Sequence, residues 1–167
     1  MEEIIKGLYL GSDDDVAKAK ERGYARLCCC KDGIDSHRSM LGYTGLGAPK
    51  GKDYLFARKD DVLALNLIDS PDPEFIPDEV IDEGLKFIKE MQDKRRILLV
   101  HCNAGMSRSA SIVLAYLHSV GEMPQGFVGA ERMFRTIYRK YSPGVGMRSH
   151  IRTRWSELPK FFNKSTA

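Results

Sequence analysis

The sequence predicts an α/β domain with a central sheet flanked by helices, and three observations predict it. An apolar run, Ile97-Leu98-Leu99-Val100, passes through His101-Cys102 and a short loop into a second run, Ile112-Val113-Leu114-Ala115-Tyr116-Leu117. A short apolar run followed by a longer one reads as a buried strand feeding a buried helix. Strand-like and helix-like segments mix in the first half, whereas helical spacing dominates the second. No repeat, low-complexity tract or linker divides the 167 residues. That length suffices for one domain with a real core, so residues 1–167 are read as a single domain.

The elements follow in order. Ile4-Ile5 and Leu8-Tyr9-Leu10, separated by Lys6-Gly7, read as an opening strand pair. Ser12 is a suitable N-cap for a short helix over residues 13–22, its three leading aspartates suit the helix dipole, and Gly23 stops it. Residues 24–30 form a short apolar strand. Residues 31–53, with Gly42, Gly45, Gly47, Gly51 and Pro49, read as a long mobile loop, either a plain surface insertion or a flap over a site. Residues 54–57 and 62–68 flank a polar turn and read as a hairpin. Pro71, Pro73 and Pro77 then make residues 69–77 a stiff exposed loop, because proline fits neither a helix interior nor a central strand. From Asp78 onward, Val80, Ile81, Leu85, Ile88 and Met91 keep helical spacing. Pro124 suits a first helical turn, and Phe127, Ala130, Phe134, Ile137, Tyr138 and Tyr141 form one apolar stripe. Ile151, Trp155, Leu158 and Phe162 mark a last amphipathic helix.

Composition narrows the function. Net charge is +3, but residues 131–167 hold nine Lys/Arg against two Asp/Glu. That basic third solvates helix faces or attracts anionic partners; without interleaved aromatics it does not point to nucleic acid. Three of the four cysteines are consecutive, Cys28-Cys29-Cys30, which is no disulfide framework. Neither zinc-type spacing nor a basic, apolar N-terminal leader is present, and no stretch reaches membrane-spanning length. These features fit a reducing compartment, cytoplasmic or nuclear, and no transmembrane segment.

The chemistry concentrates at residues 101–109. A loop that opens a helix presents unpaired N–H groups and the positive end of a dipole, a setting for phosphate. Cys102 at its start is favoured as thiolate there, and Arg108 at its end offers a planar fork to two phosphate oxygens. The thiolate is placed to attack phosphorus in line. The N–H groups of Asn103, Ala104, Gly105, Met106, Ser107 and Arg108, with the Arg108 guanidinium, would hold the equatorial oxygens. A carboxylic acid elsewhere must protonate the leaving oxygen. Asp69, at the end of an apolar strand, is the choice, with Asp72 as its rival. Ser109 can donate its hydroxyl to the sulfur, and His101 orients the loop. No metal or cofactor is required. The loop's interior is uncharged, which suits a simple phosphate monoester.

His101-Cys102-x-x-Gly105-x-Ser107-Arg108-Ser109 resembles the signature loop of the cysteine-dependent protein tyrosine phosphatases, and residues 103–110 resemble their compact dual-specificity branch. The opening Gly7-Leu8-Tyr9-Leu10-Gly11 and the position of Asp69 about thirty residues before Cys102 are similar to that branch. The resemblance implies a mostly parallel sheet of about five strands with the nucleophile loop at its carboxyl edge. It also implies phosphotyrosine and phosphoserine/threonine of proteins as substrates, and Asp69 as general acid and base. In such a sheet Cys30, or less readily Cys28, approaches Cys102 and can form a protective disulfide. Two segments depart from the pattern: the glycine-rich stretch at 42–51 is long, and residues 141–146 match only partly. Other readings of the loop are a phosphatase for a phosphoinositide, nucleotide or phosphoglucan, a non-catalytic phosphopeptide-binding module, or a sulfur-transfer enzyme. The last would need neither Asp69 nor Arg108.

Overall fold

A computed structural model describes residues 1–163; Lys164 of the basic tail, and the end of the 1–167 span, lie outside it. The chain forms strands β1 (Glu2–Ile5), β2 (Leu8–Ser12), β3 (Ala25–Cys28), β4 (Phe56–Lys59), β5 (Val62–Leu65) and β6 (Leu98–Cys102). Its helices are α1 (Val16–Glu21), α2 (His37–Leu41), α3 (Asp78–Asp93), α4 (Arg108–Ser119), α5 (Phe127–Ile137) and α6 (Val145–Arg154).

The strand order is β1-β2-β6-β3-β5-β4. The four inner strands are parallel, and an antiparallel strand closes each edge. The mostly parallel sheet is therefore as expected, with the two hairpin edges bringing it to six strands rather than five. Every residue of central β6 is buried, as expected where helices cover both faces of a parallel sheet. Register then sets the site. Ser12 and Cys102 pair across β2 and β6, and Cys28 pairs with His101 across β3 and β6. The carboxyl ends of three strands thus lie level, the edge at which open α/β sheets bind ligands.

Helix α4 is buried from Ser109 through Ser119. A helix apolar nearly all round belongs at the centre of a fold, and α4 packs on β6, α3, α5 and α6. Helix α3 buries the predicted face, Val80, Ile81, Leu85, Ile88 and Met91. Fully burying one such side chain is worth about 1.5–3 kcal/mol. Arg95, at φ +54°, turns the chain back toward β6.

Several boundaries differ from the sequence reading. Residues 13–22 divide into a 3-10 turn over Asp13–Asp15 and the short α1. The β5 strand stops at Leu65, freeing residues 66–69 for the site. Pro124 lies before α5 instead of in its first turn, and Tyr138 and Tyr141 continue the buried stripe past the helix end. Within 31–53 the chain forms α2, capped by the Ser36 side chain, which accepts from the Ser39 N–H. The segment is also tethered. His37 lies 2.6 Å from the Asp53 carbonyl and 3.1 Å from the Tyr43 hydroxyl, and Arg38 donates to the Gly45 carbonyl.

Near the C-terminus, Glu131 of α5 is buried and accepts a forked pair of bonds from Arg148 of α6, with the Tyr141 hydroxyl donating to it as well. Removing Arg148 would leave the Glu131 charge buried and unmatched. This ion pair fixes the 138–144 turn between the two helices. Among the described residues, no helix is long and apolar enough to cross a membrane.

Burial pushes the imidazoles of His37, His118 and His150 below their ordinary 6.5, so each folds in its neutral form. His118 stacks on Trp155 with ring centres 3.6 Å apart. Below pH 6.5 the unfolded chain gains protons that these rings refuse, so their contribution is complete above 6.5 and is lost as pH falls. The thermal midpoint should therefore drop by several degrees between pH 7 and pH 5, before carboxylates titrate. A midpoint constant across that interval would show that these rings do not couple protonation to unfolding.

Candidate active site

Cys102 ends β6 and is 2% exposed. The loop that follows is forced into a tight path. Gly105 sits at φ +71°, and a Cβ there would lie 2.5 Å from the Gly11 carbonyl oxygen, so only glycine fits. From beneath, the Tyr138 hydroxyl donates to the Gly105 carbonyl at 2.8 Å. The N–H groups of residues 104–107 donate to no backbone carbonyl among the described residues. Ser109, in the first turn of α4, places its hydroxyl 3.1 Å from the Cys102 sulfur.

Arg108 is held by its outer nitrogens. Nη1 donates to the Leu67 carbonyl at 3.2 Å, and Nη2 to the Asn103 side-chain oxygen at 2.6 Å. Its Nε is buried with no hydrogen-bond partner among the described residues. The Asn103 side chain is held at both ends. Its Nδ2 donates to Asp13 at 3.0 Å and to the Asp32 carbonyl at 2.8 Å. The other Asp13 oxygen lies 3.2 Å from His101 Nδ1. Burial alone would raise the Asp13 carboxyl, but hydrogen bonds to His101 and Asn103 hold it below its ordinary value, 3.8. Asp13 thus stays charged and joins the residues on either side of Cys102.

The acid candidate enters from the opposite side. Asp69 follows β5 and is exposed. Its Oδ1 accepts from the Ser107 hydroxyl at 3.1 Å, and the same hydroxyl accepts the Gly144 N–H at 2.8 Å. The rival Asp72 is occupied otherwise: it caps the 3-10 turn over Pro73–Phe75 by accepting from the Glu74 N–H. A Cβ on Gly144 would stand 2.5 Å from Asp69 Oδ1, so the turn before α6 approaches the carboxylate as closely as glycine permits.

The structure brings Cys102, Arg108, Ser109 and Asp69 around one loop, with Ala104, Gly105 and Met106 forming its bend. Ser107 contributes its hydroxyl to the Asp69 link. Sequence reasoning missed two positions. Asp13 had only the look of a helix-start acid, and its partner His101 is 88 residues away. Gly144 stood in a turn whose sequence matched a pattern only in part. The sulfurs of Cys28 and Cys30 face each other at 3.1 Å, and a hydrogen bond from Cys28, with Arg108 nearby, holds the Cys30 thiol below its ordinary range. Cys29 is the member that feels Cys102; burial first, then that neighbour, pushes its thiol well above the usual value. All four thiols are free. Among the described residues, no group of three His, Cys, Asp or Glu side chains is placed to hold a metal ion.

Such an arrangement can seat a tetrahedral anion over a sulfur nucleophile, with a proton donor at the rim. Comparison with known proteins bears on the family. The family described as dual specificity phosphatase, catalytic domain, matches residues 56–144, from β4 through the Gly144 turn. Dual specificity protein phosphatase 22 of Homo sapiens is 28% identical over 151 residues, spanning 90% of this chain and 71% of that protein. Its Xenopus laevis counterpart is 30% identical over 152 residues, 90% of this chain and 63% of the relative. Among solved structures, that of DUSP15 superposes with a TM-score of 0.68 at 21% identity, covering 98% of this chain and 93% of the other.

Two substitutions test how the site is held. Gly144→Ala should displace Asp69 and slow aryl and alkyl phosphate hydrolysis by roughly tenfold, the cost of a sub-ångström misplacement, with the larger loss for poor leaving groups. An equal loss for all leaving groups would show that Gly144 does not act through Asp69. Asn103→Ala should free the outer edge of Arg108 and weaken binding of inorganic phosphate as a competitive inhibitor about tenfold, in line with loss of a charge-assisted hydrogen bond. Unchanged inhibition would mean that Arg108 holds its place alone.

Proposed function

This chain belongs to the dual specificity phosphatase family, a class of protein phosphatases, and we propose that it hydrolyses phosphotyrosine and phosphoserine/threonine monoesters on proteins through a phosphocysteine intermediate. In the first step the Cys102 thiolate attacks phosphorus, and the bond to the ester oxygen breaks in line. The loop N–H groups and Arg108, with its Nε as the unspent donor, stabilise the charge on the equatorial oxygens. Asp69 in its acid form gives its proton to the departing oxygen. In the second step the Asp69 carboxylate takes a proton from water. The water oxygen bonds to phosphorus, and the S–P electron pair returns to sulfur as inorganic phosphate leaves. The Ser109 hydroxyl, 3.1 Å from that sulfur, donates to the thiolate as it re-forms and makes it a better leaving group.

The observation that most supports these roles is the tether on Asp69. Its carboxylate bonds to Ser107, a residue of the loop that Cys102 opens, whereas Asp72 spends its carboxylate on a local cap. We assign the working compartment as reducing, cytoplasmic or nuclear, because the nucleophile and three buried neighbours are thiols.

Cys102→Ser should abolish turnover of p-nitrophenyl phosphate while retaining phosphopeptide binding; residual turnover would remove Cys102 from its role. Asp69→Asn should lower kcat about 10²–10⁴-fold for alkyl esters and much less for p-nitrophenyl phosphate, whose leaving group needs little protonation. If Asp72→Asn gives that pattern instead, the assignment of the acid is wrong.

A further inference from the structure

We propose that the pocket beside Asp69 receives one large apolar side chain of the substrate protein, close in sequence to the phosphorylated residue. The inference rests on the function proposed above and extends it to substrate choice. The glycine-rich segment and the acid loop meet in a pocket of about 230 Å³ walled by Gly47, Ala48, Tyr54, Leu55, Ile68 and Phe75. Cavities that enclose whole small-molecule ligands run to about 300–1,000 Å³, so this one suits a single side chain.

The lining favours an apolar guest. Two of its polar side chains face other groups: Lys31 donates to the Leu46 carbonyl, and Asn66 to the Tyr54 carbonyl at 2.8 Å. Ile68 and Phe75 are 46% and 67% exposed, apolar surface that a bound chain would cover. Gly47 and Ala48 carry no bulk to fill the space. The wall they form is braced by Arg38 on the Gly45 carbonyl and by the Lys50 ammonium, 3.8 Å from the centre of the Tyr54 ring. The pocket lies next to the site along the chain: Ile68 of its wall precedes Asp69, and the N–H of Lys31, another wall residue, donates to the Leu67 carbonyl that also receives Arg108.

The experiment uses phosphotyrosine peptides in which each flanking position is in turn Leu, Phe, Ala or Asp. Two readouts are taken: kcat/KM relative to p-nitrophenyl phosphate, and the Kd of the Cys102→Ser protein. Leu or Phe at one flank should raise relative kcat/KM and tighten Kd about tenfold or more over Ala, the usual worth of a few methylenes in an apolar pocket. Phe75→Ala, which opens the pocket, and Ala48→Phe, which fills it, should each abolish the preference. Absence of a preference, or one that survives both substitutions, overturns the proposal. So does a Phe75→Ala effect confined to a short-chain phosphoinositide offered in parallel. A wild-type protein inert toward p-nitrophenyl phosphate would defeat the proposed catalysis alone, because peptide Kd still reads the pocket. Failure of every peptide to bind would defeat both.

Discussion

The Ser107 hydroxyl joins three parts of the chain. It donates to Asp69 after β5, accepts from the Gly144 N–H before α6, and belongs to the loop between β6 and α4. One oxygen thereby sets the height of the acid above the nucleophile loop. The link has no slack, because the Gly144 backbone stands within a methyl group's width of the Asp69 carboxylate. Behind it, the Glu131–Arg148 ion pair and the Tyr141 hydroxyl hold α5 and α6 together. If Asp69 is the proton donor proposed above, its position depends on a buried ion pair between α5 and α6, which is how a supporting shell confers precision.

A second clamp works from the other face. Asp13 holds His101 before the nucleophile and Asn103 after it, and Asn103 passes that constraint to the Arg108 guanidinium. Tyr138 pins the bend at Gly105. The loop is therefore held at both ends and in the middle before any anion arrives. Donors fixed in advance stabilise a transition state without reorganisation at the moment of reaction. Two outer nitrogens of Arg108 are committed to the protein and its Nε is not, so the side chain that binds charge is also built into the frame.

What the sequence made legible was whatever short-range pattern encodes. The run from Leu98 through Leu117 announced strand, loop and helix because an apolar segment interrupted by Gly105 and Ser107 has few other solutions. The face of α3 was readable from helical spacing. The candidate site residues could be picked out because phosphate-ester chemistry of this kind demands those types at those spacings. Long-range pairings were not. Asp13 finds its partners only once β2 and β6 lie side by side, and Gly144 meets Asp69 only once α6 folds back over the 3-10 turn. Element ends were also hidden where tertiary contacts decide them. β5 stops at Leu65 so that residues 66–69 can reach the site, and α2 forms in a glycine-rich region because Ser36 caps it and His37 is bonded on both ring nitrogens.

The division of labour around the loop follows from its chemistry. The interior, residues 103–107, carries no charge of its own; in the proposed reaction, recognition of the phosphate would fall to backbone N–H groups and one arginine, which would serve any monoester alike. Selectivity among substrates must then come from surfaces outside the loop. Two segments that depart from the resembled pattern border the mouth: the glycine-rich stretch forms a wall near Ile68, and the 141–146 turn carries Gly144 and the exposed Val145. The first builds an apolar pocket and the second holds the acid. Variation in the first can change which proteins are bound without disturbing the chemistry. Variation in the second cannot, since any side chain at Gly144 reaches Asp69 before it reaches substrate.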